Sequence, residues 1–398
     1  MGSGPVLEGV FAINKPPAIS SAQVIRDVQN HFNPSKLFQP WLQREQDKRD
    51  AEKHNQKNKR KWRGRRETSV KMGHGGTLDP MATGVLILGV GSGTKDLGHF
   101  STECTKSYDA VVLFGAATDT YDTEGKVVGR KPYEHITKEM VEQALGKFRG
   151  KGMQRPPIFS ALRVQGKRLY EYAREGREVP VEIKERPVEV SKLELLEWME
   201  GGKHKWHWPD READAEEKKF AEKTLSLKDE SDVKVEDEAT AGAKRKRDED
   251  LAAQAEPIIS EPEAKRPKEE HPLAGQEPEV SAATGEVEAA KEGHERAQPK
   301  PSAPATATPA ADRSPCPAPA CRIRMTVTSG FYVRTLCQDL GAAVGSLGLM
   351  ADLVRTRQSD FELGTNVLWY DELKQGEEVW GPKVKKLLEE WQEKKAAS

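Results

Sequence analysis

From Pro209 to Ala320 the chain runs for 112 residues with a single aromatic side chain, Phe220. Glu, Ala, Pro, Lys and Asp dominate this tract. Such a composition cannot bury enough apolar surface to offset the entropy of ordering a chain, so 209–320 is expected to be disordered. Whatever folds must therefore be assembled from segments on either side of it. Strands more than a hundred positions apart must meet. The whole-chain composition points the same way, with 32% charged and only 36% hydrophobic residues, low for a globular domain.

Charge is unevenly spread although the net value is −1. Between Trp41 and Arg66 stand eleven Lys or Arg against four Asp or Glu, a net of +7, with Trp41 and Trp62 near its ends. This basic insertion, 33–68, reads either as a solvated helix or disordered excursion, or as an electrostatic footprint for RNA phosphates. Two clusters inside the low-complexity tract, Lys244–Arg247 and Lys265–Lys268, read as nuclear import signals or as parts of a charge-balanced linker. Four scattered cysteines (Cys104, Cys316, Cys321, Cys337) make no disulfide framework and no zinc spacing, which fits a reducing compartment. No apolar run reaches the length of a membrane span, and the first ten residues lack the features of a secretory signal.

The remaining segments, 6–32, 69–200 and 321–370, carry the patterns of folded chain. Val10–Ile13 reads as a short buried strand, followed by a helix capped by Ser20 or Ser21. Gly84–Gly91 and Ser107–Gly115 read as further strands. Thr137 caps a helix with Met140, Val141, Ala144, Leu145 and Phe148 at helical spacing. Val188–Met199 reads as strand or helix end. Cys321–Thr328 alternates as a strand, and Leu336, Leu340, Ala343 and Val344 mark a helix stopped by Gly345. An amphipathic helix around Val384, Leu387, Leu388 and Trp391 fills 371–398.

One loop stands out for chemistry. In Gly73-His74-Gly75-Gly76-Thr77-Leu78-Asp79-Pro80, the glycines let a ligand approach the backbone closely. Asp79 is held out of the helical region by Pro80 and sits just before an apolar strand. Taken alone, such an Asp suits the capping of a turn better than it suits chemistry.

The longer run Lys71–Leu86 resembles the signature of the TruB family of pseudouridine synthases. Three further segments are similar to that family and follow its order. They are Lys106-Ser107-Tyr108-Asp109 leading to Thr118–Gly125, Arg155–Tyr170, and Ser329-Gly330-Phe331-Tyr332-Val333-Arg334-Thr335. The resemblance implies an α+β fold with a central mixed or antiparallel sheet and a catalytic cleft. It implies that Asp79 is the catalytic aspartate, acting as nucleophile or base, and that Arg334 pairs with it. Tyr108 aligns with a tyrosine that stacks on the target base, Tyr332 and Leu353 with residues lining the uracil pocket, and His74 with a residue that organises the substrate. In Leu353–Phe361, Ser359 stands where the family has glycine.

The resemblance further implies isomerisation of uridine to pseudouridine by base flipping, with no cofactor and no metal. Only 28 residues follow Tyr370. That is too few for the RNA-binding PUA domain of bacterial and RNA-guided relatives, so no guide RNA is expected. The expected substrate is the T loop and acceptor arm of tRNA, with some mRNA as a further target, for a monomeric enzyme with no membrane contact, nuclear by its basic clusters and with mitochondrial and cytoplasmic pools as alternatives. An RNA-guided or mRNA-directed synthase and a tRNA-folding chaperone are the rival expectations.

Overall fold

In the computed structural model, which describes residues 4–55, 68–177, 179–225 and 315–397, the chain begins with β1 (Gly9–Lys15), α1 (Ser21–Phe32), α2 (Gln39–Asn55), β2 (Met72–His74) and β3 (Thr83–Val90). Next come α3 (Leu97–Thr102), β4 (Lys106–Phe114), the pair β5 (Ala116–Thr118) and β6 (Val127–Arg130), α4 (Lys138–Leu145) and β7 (Gly150–Gln154). β8 (Arg163–Val164), β9 (Lys167–Arg168), α5 (Leu169–Arg174), β10 (Arg186–Met199) and α6 (Ala215–Leu225) follow. Beyond residue 315 lie β11 (Ala320–Val327), α7 (Val333–Ala343), β12 (Gly348–Gln358), β13 (Phe361–Glu362), β14 (Val367–Trp369) and α8 (Glu377–Ala397).

Ten of these strands share one sheet, ordered β14-β1-β3-β12-β4-β11-β10-β7, with β2 on β3 and β13 on β12. The pairs β1–β14 and β3–β12 are parallel and the others antiparallel, so the sheet is mixed as expected. β4 is flanked on both sides by strands from beyond the low-complexity tract, β12 and β11. The central sheet thus exists only once the two halves of the chain have met.

Over β1, β3 and β4 both faces are covered, which is why these strands are largely apolar runs. Tyr108, Ala110, Val112 and Phe114 of β4 face one cluster with α1, α4, α7 and α8, while Val111 and Leu113 face a second one. β10 explains its own ambiguity. Bulges between Val190 and Lys192, and between Leu195 and Glu197, shift the register twice. The inward residues therefore run Val188, Val190, Leu193, Leu195, Trp198, mixing spacings of two with spacings of three.

Several expectations change. Residues 209–225 and 315–320 are folded. Val127 bonds to Arg211 and Ala213 through the backbone, and Ala213 and Ala221 are buried beside Tyr121 and Val128. Cys316 and Ala318 pack with Val111 and Leu113, flanked by Trp206 and Trp208. These ends are small-residue segments whose burial is supplied by aromatic side chains elsewhere, so averaging over the tract hid them. The rest of the tract, with both basic clusters, lies outside the described residues. Trp41 is a core residue, 4% exposed, whose indole donates to Glu8. α2 carries four basic and four acidic residues, so the whole basic surplus falls in 56–66, outside the described residues together with Trp62. Met140 is exposed. Ser359 adopts φ +52°, the left-handed conformation that favours the glycine expected there.

The C-terminal helix is part of the core. α8 packs on β1, with Trp380, Val384 and Leu388 in the main cluster and Trp391 reaching the opposite face. Trp380 is 2% exposed and stacks on Phe32 at 5.1 Å. Trp380→Ala is expected to lower the unfolding free energy by about 3–5 kcal/mol in urea titrations. A loss under about 1 kcal/mol would mean that α8 is an appendage.

Candidate active site

Asp79 sits in the loop that leads into β3. Four buried polar side chains hold this loop by its backbone. Lys15, at the end of β1, donates to the carbonyls of Pro16, Pro80 and Ala82 at 2.8, 2.8 and 2.7 Å. Ser21, the first residue of α1, donates to Leu78 O and accepts from Leu78 N. Arg355, 1% exposed on β12, donates to Val85 O at 2.7 Å and Gly76 O at 3.2 Å. Gln358 donates to Gly75 O and Phe100 O. At the loop's exit Gly84 has φ +99°, and a Cβ there would run into the Arg355 carbonyl. The loop is over-determined by fixed donors, which suits a side chain that must hold one position.

Arg334, in the first turn of α7, is 6% exposed. Its Nε donates to Asp79 Oδ2 at 2.9 Å, and Nη2 lies 3.4 Å from Oδ1. Nη1 donates to Thr120 O at 2.8 Å and Nη2 to Phe159 O at 2.9 Å. A second carboxylate, Asp122, lies 3.7 Å from Nε. Its Oδ1 accepts from Thr120 Oγ1 at 2.6 Å and from Glu124 N at 3.0 Å. The guanidinium thus joins four stretches of chain.

The electrostatics follow from burial. Burial works against the Arg334 charge, but Asp79 and Asp122 more than offset it and hold the group above its ordinary value. Asp122 is pushed up to about 6 by burial, even with Arg334 pulling it down. Burial raises Glu124, and the Asp79 charge adds to it. Burial lowers Lys15 to about 8, with Asp79 opposing. The Asp79 side chain keeps 32% of its surface open. It is one ionisable oxygen pair anchored from behind by Arg334 and open in front, a geometry able to attack carbon or to take a proton.

The other expected residues surround this pair without touching Asp79 through any described hydrogen bond or ion pair. Tyr108, 7% exposed, lies on the same sheet face as Arg355, whose guanidinium carbon is 6.0 Å from its ring centroid. Leu353 is 5% exposed in the cluster that contains Tyr108 and Leu78. Tyr332 caps the N-terminus of α7, two residues before Arg334. His74 lies on β2, its Nδ1 buried without a partner, and burial pushes its ring below its ordinary value, with the Arg355 and Arg168 charges adding to the shift. Lys15, Ser21, Asp122, Arg355 and Gln358 were not expected from sequence as site residues. Their work is done on backbone carbonyls and through tertiary contacts, and a local motif does not report either. Among the described residues, no group of three or more His, Cys, Asp or Glu is placed to hold a metal ion. No described helix is long and apolar enough to cross a membrane.

The model of the TruB family pseudouridylate synthase N-terminal domain matches residues 60–207. The tRNA pseudouridine synthase 4 of Schizosaccharomyces pombe is 38% identical over 357 residues, covering 89% of this chain and 79% of that protein. The chain belongs to the TruB family. The tRNA pseudouridine synthase 4 of Saccharomyces cerevisiae is 31% identical over 388 residues, covering 96% of this chain and 85% of that one. A bacterial TruB relative, the tRNA pseudouridine synthase B of Phocaeicola vulgatus, is 46% identical over 128 residues, 32% of this chain and 53% of its own length. The match to the family model includes the Asp79 loop and Tyr108. Tyr332, Arg334, Leu353 and Arg355 lie beyond it, across the low-complexity tract.

Lys15 supplies a pH test of this TruB site. As an ammonium it has three N–H groups for three carbonyls; as an amine it has two. Pseudouridine formation is expected to fall as pH rises through about 8. Lys15→Met should remove that alkaline limb and lower stability by ~3 kcal/mol through orphaned carbonyls. An unchanged limb in the variant would show that Lys15 does not set it.

Proposed function

We propose that this protein isomerises uridine to pseudouridine in tRNA, at position 55 in the T loop, with Asp79 as the reacting carboxylate. The observation that carries the reading is the Asp79–Arg334 pair, buried on the arginine side and open on the carboxylate side. The names of the two fungal relatives support tRNA as the substrate.

The reaction breaks the bond from C1′ to N1 of the uracil and forms one from C1′ to C5. C5 gives up a proton and N1 gains one. Atoms balance without oxidant, reductant or activated donor, so no cofactor enters the scheme. Asp79 starts cleavage, either by attack at the sugar or by taking a proton from it. Arg334 grips and orients this carboxylate while Asp79 and Asp122 balance its own buried charge. Tyr108 stacks on the extruded uracil, Tyr332 and Leu353 line the pocket, and His74 orders the flipped nucleotide. Folded RNA is read by shape and by phosphate contacts, to which the basic surplus in 56–66 contributes. Some mRNA is a further substrate in this proposal, the enzyme acts as a monomer, and the clusters Lys244–Arg247 and Lys265–Lys268 direct it to the nucleus.

The test uses a tRNA transcript assayed for pseudouridine. Asp79→Asn is expected to reduce the single-turnover rate at least about 10,000-fold while tRNA affinity stays within a few-fold. A variant that still converts the transcript would remove Asp79 from the chemistry. In the same binding assay, neutralising the basic residues of 56–66 should flatten the dependence of affinity on salt. An unchanged slope would remove that segment from the RNA footprint.

A further inference from the structure

Tyr332 is held by two residues that face each other across one rung of the sheet edge. Gln154, at the end of β7, and Arg186, at the start of β10, are direct cross-strand partners, so their side chains lie together on one side. Gln154 is 7% exposed. Its side-chain Nε2 donates to Tyr332 O at 3.0 Å, and its Oε1 accepts from Tyr332 N at 2.8 Å. The amide thus pairs with the Tyr332 backbone on both its donor and its acceptor, as a neighbouring strand would. Among side chains of that length only Gln offers both functions at its end. Arg186 takes the other side of the same residue. Its guanidinium carbon lies 4.9 Å from the Tyr332 ring centroid, a cation–π contact. A Cβ added at Gly330 would meet the Arg186 guanidinium at 3.5 Å.

Tyr332 caps α7, and its own side chain makes no capping hydrogen bond. Its backbone direction fixes where α7 starts, and Arg334 lies two residues on. A displacement of Tyr332 therefore moves both a pocket wall and the arginine that anchors Asp79.

We propose that Gln154 and Arg186 form a clamp of positioning residues, which sets Tyr332 and through it the Arg334–Asp79 pair. The inference rests on the proposed function for its kinetic readout and on geometry for its structural one. The clamp acts on the chemical step. RNA affinity is not its task, although Arg186 carries a charge that a phosphate could use.

Two variants separate these roles. Gln154→Met keeps length and removes both hydrogen bonds. Arg186→Lys keeps the charge and removes the planar group that covers the ring. Each is expected to lower the saturating single-turnover rate by about 10- to 100-fold, with tRNA affinity within about threefold, because a small misplacement of a reacting group is felt at the chemical step. The double variant should be little slower than the worse single one, since both act through Tyr332. A fall in affinity or in thermal stability with an unchanged saturating rate would overturn the clamp. So would fully multiplicative effects.

A second readout does not depend on activity. The protein labelled with 3-fluorotyrosine should show a ¹⁹F resonance of Tyr332, assigned with Tyr332→Phe, that shifts or broadens in both variants. An unmoved resonance would overturn the clamp whether or not the enzyme is active. A wild-type protein that forms no pseudouridine, with a resonance that does respond, would refute the proposed function and leave the clamp standing.

Discussion

A guanidinium that leaves water must find partners for its charge and its donors, or it will not stay buried. Arg334 satisfies that demand with Asp79, Asp122, Thr120 O and Phe159 O. Those partners come from the loop before β3, the segment after β5 and the loop after β7. Arg334 itself comes from beyond the low-complexity tract. One side chain thus makes the site conditional on the whole sheet. If β11 and α7 fail to dock, Asp79 and Asp122 both lose the guanidinium they share.

Around this pair the site is organised on carbonyls. Lys15, Arg355 and Gln358 each bury a polar head against backbone oxygens, and Lys15 and Arg355 do so with no described carboxylate partner. Carbonyls offer weaker compensation than an ion pair, but they fix a loop by its main chain and leave the Asp79 side chain open. Burial also displaces the titrations of the neighbours, Lys15 down and Asp122 up. The unfavourable burial therefore falls on the groups behind Asp79, and its front stays exposed.

Much of this was legible in the sequence, for identifiable reasons. The strands β1, β3 and β4 show as apolar runs because both sheet faces are covered there, β11 shows by its alternation, and α4 shows because Thr137 caps it. Asp79 and Arg334 were nameable because they lie in motifs that resemble the TruB family. β10 was ambiguous because two bulges break its period. Residues 209–225 and 315–320 look unstructured in sequence because Ala213 and Ala221 are buried only through tertiary contacts such as Tyr121 and Val128, and Cys316 and Ala318 through such contacts as Trp206 and Trp208. Trp41 was grouped with a basic run by its position, although its indole is buried against Glu8. Asp122 stood in a turn-rich run with nothing local to show that Arg334 would reach it. Gln154 and Arg186 become partners only through the register of β7 on β10.

In the proposed reaction a flipped uridine comes to rest in front of Asp79 while Arg334 holds that carboxylate from behind. A crystal structure of the Asp79→Asn protein with a tRNA T-arm stem–loop tests this most directly. The target nucleotide is expected outside the RNA stack, its C1′ about 3–3.5 Å from the residue 79 side chain, with Arg334 still bound to the carbonyls of Thr120 and Phe159. A target uridine left in the stack, or seated away from residue 79, would contradict it.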